Sequence, residues 1–332
     1  MSQILDFSCP TRIVAGPGAL ELAAAMAVGK GARRVLIVAD ADLVASGRVT
    51  AVATTLEQSG LGVIGIADPA SADGSVDGSR QDRSIPDLLL LIGGDAPFVL
   101  AGALHADVPA IGLPTVAASG RGQTRCGTLV LDPDHSVDVP DAQAASAAIV
   151  AIGNAIESWV AARRNPLTDM FARESWRRLS MAYSRAIDGT ADADALMDVL
   201  LGTFLAATAA CQSGLGAVHA CAEPLIRRGH VDRAAATAIL LPEVVRFNSR
   251  VVADRYAELA SVRGEARRPE ILVARLEDFA AAGGFPPRLA STGLMEGDLP
   301  TLAEQAAKEP SAINNPRTFD VASALELYAA TY

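Results

Sequence analysis

Five short apolar runs fill much of the first 131 residues, each stopped by an acid, a glycine or a proline. They are Arg34 to Asp40, Gly60 to Ile66, Asp87 to Gly94, Val108 to Leu113 and Thr128 to Leu131. The runs are continuous rather than alternating, the pattern of strands buried on both faces of a parallel sheet. A shorter strand precedes them in residues 11–18, TRIVAGPG, with a helix of small apolar residues from Ala19 to Val28 and another over about 44–58. Strand, helix, strand in that order requires a crossover connection, and hence parallel pairing. Residues 68–86 break the rhythm: rich in Asp, Ser and Gly, they have no apolar period and hold at best a turn or two of helix.

From about Asp141 the period becomes helical and stays so. Helices are expected near 143–163, 166–186, 192–210, 213–225, 231–248, 251–262, 269–283, 298–308 and 318–330. Asn165, Pro166 and Thr168 form a helix start with proline in its first turn. The expected fold class is therefore α/β plus all-α. A doubly wound parallel-sheet domain spans 1–140 and a helical domain spans 141–332, with the cleft between them as the expected binding site.

Chemistry concentrates between Cys211 and Arg246, which holds two of the four histidines and a dense set of arginines. His219 and Glu223 are four residues apart and share one helix face. That spacing serves either a buried helix with one hydrogen-bonded histidine or a site. Cys221, two residues from His219, points to a different face, which argues against a Cys–His nucleophile pair. His105 and His135 read as surface loop residues.

A formal charge of −10 argues against nucleic acid as a partner, because binding its phosphates needs a basic surface. Cysteines 9, 126, 211 and 221 make no CxxC or zinc spacing, and no secretory leader is seen, so reduced thiols in a cytoplasm are expected. No apolar run reaches the ~20 residues of a membrane span without a charge or glycine. The expected partner is a small-molecule substrate.

Several segments together resemble the iron-containing (group III) alcohol dehydrogenases, the maleylacetate reductases and the dehydroquinate synthase-like enzymes. They are PTRIVAGPGALELAA, GARRVLIVADADLV, IGGDAPFV, LPTVAASGRGQTR, NAIESWVAARRNPLTDMFARESWRRL, GLGAVHACAEPL and AILLPEVVRFN, in the family's order over nearly the whole chain. The resemblance implies a nucleotide turn at Gly93, Gly94 and Asp95, and a second cofactor loop carrying Thr115, Ser119 and Arg121. It implies a divalent metal held by an Asp, and by histidines, at the positions of Val150, Asn154, His219 and Arg233. A further family histidine falls on Glu223.

The sequence departs from that pattern. Asp95 and Ala96 stand for a Gly-Ser pair, Val99 for an acid and Gly102 for a lysine. Only His219 survives of the four ligands, and Arg233 carries a permanent positive charge. These departures predict a metal-independent, nicotinamide-independent enzyme with neither metal nor cofactor. It would do acid–base chemistry such as isomerisation, elimination, cyclisation or decarboxylation on a small anionic or polar substrate. His219, Glu223, Arg233, His230 and Asn154 would be catalytic, and the nucleotide residues would be degenerate. The alternative is an NAD(P)H-dependent alcohol dehydrogenase or maleylacetate reductase-like oxidoreductase, and a second is a non-catalytic partner subunit. Dimers through the N-terminal domain, near Ile13, are expected from the resemblance.

Overall fold

The computed structural model describes residues 7–67, 86–98, 108–116, 126–135, 139–188, 192–229, 231–262 and 264–332. The expectations placed on 68–85, Val99, Gly102, His105, Ser119, Arg121 and His230 lie outside them.

Six strands form one sheet: β1 (Arg12–Ala15), β2 (Arg34–Ala39), β3 (Gly62–Ala67), β4 (Leu88–Gly93), β5 (Ala110–Pro114) and β6 (Thr128–Leu131). Their order is β1-β6-β5-β4-β2-β3, and every pairing is parallel. β4 lies inside the sheet, and all six of its residues, LLLLIG, are buried. This is the physical reason its sequence shows no alternation. The helices of this unit are α1 (Ala19–Gly29), α2 (Ala41–Ala45) and α3 (Arg48–Gln58). The expected helix over 44–58 is thus two helices, interrupted at Ser46 and Gly47. The core packs Leu20, Ala23 and Ala24 of α1 and Val49, Val52 and Leu56 of α3 with Val35, Ile37, Leu90 and Leu113 of the sheet. α1 is anchored at its start by Asp132, just past β6, whose carboxylate accepts from the Leu20 N–H at 3.2 Å.

The remaining helices are α4 (Asp141–Val160), α5 (Pro166–Ile187), α6 (Ala193–Ser213), α7 (Ala217–Arg227), α8 (Arg233–Ser261), α9 (Pro269–Ala282), α10 (Leu299–Ala306) and α11 (Val321–Thr331). Two compact units result: an α/β unit holding Ser8–Pro140 and the start of α6 through Leu201, and a helical unit holding the rest. α5 begins as its sequence predicts. Asn165 Oδ1 accepts from Leu167 and Thr168, while Thr168 Oγ1 accepts from Asn165. This reciprocal cap satisfies donors that the first turn leaves open. The two helices expected over 231–262 are one, α8, kinked at Val252 (φ −133°, ψ 29°).

Buried aromatic side chains tie the helical unit together through their polar ends. Trp159 Nε1 donates to the Arg255 carbonyl at 2.9 Å, Trp176 Nε1 to the Leu259 carbonyl at 2.8 Å and the Tyr183 hydroxyl to the Phe279 carbonyl at 3.0 Å. Each ring buries apolar area without stranding its N–H or O–H. Among the described residues, α6 is long and apolar enough to cross a membrane by length and composition, but 61% of its apolar window is buried in protein.

Candidate functional site

In the helical unit, one pocket gathers side chains from three helices. α4 contributes Val150, Gly153, Asn154 and Glu157, a set spaced three and four apart and therefore on one face. α7 contributes Val218, His219 and Ala222, and α8 contributes Arg233 and Thr237. Gly153 permits the close approach: a Cβ there would stand 2.7 Å from Thr237 Cγ2, inside van der Waals contact.

The four positions at which the resemblance implied metal ligands, Val150, Asn154, His219 and Arg233, all line this pocket. Arg233 Nη2 donates to Glu223 Oε1 at 2.7 Å, and Nη1 lies 3.4 Å from His219 Nδ1. His219 Nε2 lies 3.3 Å from the same Glu223 oxygen. A guanidinium only donates, so His219 Nδ1 is the acceptor and the ring proton sits on Nε2, facing Glu223. Burial pushes the Glu223 carboxyl up, but the hydrogen bond and charge of Arg233 outweigh it and hold Glu223 below the usual carboxylate range. Arg233 is the first residue of α8, where the helix dipole opposes a cation. Glu223 offsets that cost.

Glu157 is a pocket residue that no sequence motif singles out. It is 6% exposed and caps α7 from a different helix. Its Oε1 accepts from Gly216 and Val218 at 3.1 and 2.8 Å, and its Oε2 from His219 at 3.3 Å. Burial pushes this carboxyl up to about 7, against the lowering effect of those three N–H groups. The available signal was its spacing: Glu157 lies three residues after Asn154, on the same face.

These residues do not fit a divalent ion. Such an ion needs three or four lone-pair donors from O, N or S. Val150 has none and Arg233 offers only N–H groups, while both His219 ring nitrogens face protein partners. Among the described residues, no group of three or more His, Cys, Asp and Glu side chains is placed to hold a metal. Cys221 is fully buried, and burial raises its thiol far above the ordinary value.

The α/β unit carries the nucleotide positions. β4 ends in Gly93, with φ +131°, where a Cβ would collide with the Asp40 carboxylate. Gly94 N donates to Asp40 Oδ2 at 2.6 Å, and Thr115 N donates to the Gly93 carbonyl at 3.0 Å. Asp95 opens a helical turn over 95–98. The turn thus keeps its strand-to-helix form despite the lost glycine.

The Fe-containing alcohol dehydrogenase family, C-terminal, matches residues 144–332. Long-chain-alcohol dehydrogenase 1 of Geobacillus thermodenitrificans is 26% identical over 348 aligned positions, covering 89% of this chain and 88% of that protein. The NAD-dependent methanol dehydrogenase of Bacillus methanolicus is 25% identical over 370 positions, covering 95% and 97%. Among solved structures, a 1,3-propanediol oxidoreductase superposes with a TM-score of 0.87 at 22% identity, over 99% of this chain and 100% of that one.

These relatives correct two expectations. A non-redox acid–base enzyme without nicotinamide is overturned by relatives named as dehydrogenases, one of them NAD-dependent, and the oxidoreductase alternative is the reading they favour. The expected absence of a cofactor falls with it. The turn after β4 keeps its form despite the lost glycine and the added acid, because Gly93 and Asp40 hold it in shape. The parallel sheet, the helical unit, the matched C-terminal region and relatives aligned along nearly the whole length agree, and the chain belongs to the Fe-containing alcohol dehydrogenase family.

Proposed function

We propose that this protein is a nicotinamide-dependent oxidoreductase acting on a small hydroxyl or carbonyl compound. The observation that carries the reading is the place of Asp40 and Gly94. From β2 the chain runs to β3 on one side, then returns to β4 on the other, so the sheet changes direction between β2 and β4. Ligands of open parallel sheets bind outside the carboxyl ends of the strands at such a point. Asp40 follows β2, Gly94 follows β4, and the two are hydrogen-bonded there.

The residues present fit a dinucleotide. The Gly93–Gly94 turn lets backbone come close, and a carboxylate at the end of the neighbouring strand suits ribose hydroxyls and disfavours a 2′-phosphate. When bound, a nicotinamide supplies the hydride acceptor or donor. In the helical unit, the pocket separately holds two titratable groups, His219 and Glu157, the latter pushed up to about 7 by burial. Four free thiols support a reducing compartment, and the edge position of β1 supports pairing of two chains along it.

Titration with NADH and NADPH, followed by reduced-nicotinamide fluorescence, tests the reading, with short alcohols and aldehydes then screened for turnover. Saturable NADH binding with turnover is expected. No binding at millimolar cofactor would remove it.

A further inference from the structure

At three of the four pocket positions that the family resemblance assigns to cation ligands, this chain has no carboxylate or imidazole. Val150 is apolar, Asn154 presents an amide and Arg233 presents a guanidinium. The Asn154 side chain makes no hydrogen bond within the described residues, although it lines the pocket on the same α4 face as Glu157. Arg233 lines the pocket and is 28% exposed, and its partner Glu223 is 21% exposed, so the pair is partly shielded from water. Arg233 has more N–H donors than His219 and Glu223 take. It also stands at the N-terminus of α8, a 29-residue helix whose positive dipole end favours an anion.

We propose that Arg233 and Asn154 form an anion subsite that holds a carboxylate of the substrate. The guanidinium fork matches the two oxygens of a carboxylate, which an ammonium does not. Asn154 adds a neutral donor from the facing helix, and Thr237, whose hydroxyl donates to the Arg233 carbonyl at 2.8 Å, lines the same wall. Two acidic groups border the subsite. Glu223 takes Arg233 Nη2 and His219 Nδ1 faces Nη1, which leaves the guanidinium's remaining N–H groups, that of Nε among them, for the ligand. Glu157 is turned toward the α7 backbone, where Gly216, Val218 and His219 N–H groups occupy both its oxygens. The substrate class is therefore a small carboxylate-bearing hydroxy or oxo compound, rather than a neutral alcohol held on a metal.

The word substrate rests on the oxidoreductase reading, but the subsite does not. The test is consequently made on the full chain without nicotinamide. Isothermal titration is run with malonate, with glycerol as the neutral probe and with zinc ion as the cation probe. Malonate is expected to bind saturably at one site, and glycerol and zinc are expected not to. Arg233→Gln combined with Glu223→Gln, which leaves no buried charge unpaired, is expected to weaken malonate at least tenfold. Asn154→Ala is expected to weaken it several-fold, and Arg233→Lys less than the double variant. Malonate affinity unchanged in the double variant overturns the proposal, as does stoichiometric zinc binding lost in His219→Ala. Malonate binding without NADH binding would remove the oxidoreductase reading and leave the subsite. NADH-linked turnover of neutral alcohols without malonate binding would do the reverse.

Discussion

Arg233 Nη2 lies 2.7 Å from Glu223 Oε1, joining the first turn of α8 to the helix before it. The same guanidinium fixes the tautomer of His219, so one arginine sets both the charge and the proton position of the pocket.

Removing one member of this pair strands the other in a partly buried place. Arg233→Ala is expected to lower unfolding free energy by about 1–2 kcal/mol. Glu223→Ala acts similarly, and the double variant is expected to lose less than the sum. Urea melts of the four proteins measure the coupling, and strict additivity would show that the pair contributes nothing.

Glu157 gives a pH dependence whose sign follows from its environment. Its carboxyl stands at about 7 in the folded chain against an ordinary value of 4.5. Between those values the folded state keeps the proton that the unfolded state has released. Its contribution is thus full below pH 4.5 and is lost as pH rises to about 7. The swing is on the order of 3 kcal/mol at most. Glu157→Gln is expected to flatten that part of a stability-against-pH curve measured by urea melts. An unchanged slope would show that Glu157 does not titrate there.

Gly153 faces Thr237 Cγ2 with no room for a methyl group. Gly153→Ala is expected to destabilise by about 1–3 kcal/mol. Thr237→Ser removes only the crowding methyl, so the double variant is expected to recover most of that loss in thermal melts. No recovery would place the strain elsewhere.

Asp40 sets a charge beside the turn after β4. Asp40→Ser is expected to relax a preference for NADH over NADPH by about tenfold, read from the ratio of kcat/KM values. Gly93→Ala is expected to weaken both cofactors, because its φ of +131° and the adjacent Asp40 carboxylate leave no place for a Cβ. An unchanged cofactor ratio in Asp40→Ser would separate Asp40 from the ribose.

The sequence by itself determined the local and periodic features. LLLLIG announces a strand buried on both faces, because burial on both sides removes any reason to alternate. Asn165, Pro166 and Thr168 announce the start of α5, because the cap is closed within four residues. His219 and Glu223 share a face by helical spacing alone. Only the tertiary structure decided that β1 sits at the sheet edge beside β6, more than 110 residues later, and that Glu157 caps a helix 59 residues away. It also decided that Arg233 closes on both His219 and Glu223. These are contacts between elements, set by how helices and strands pack. A chain's periodicity records which face of an element is covered, but not which other element covers it.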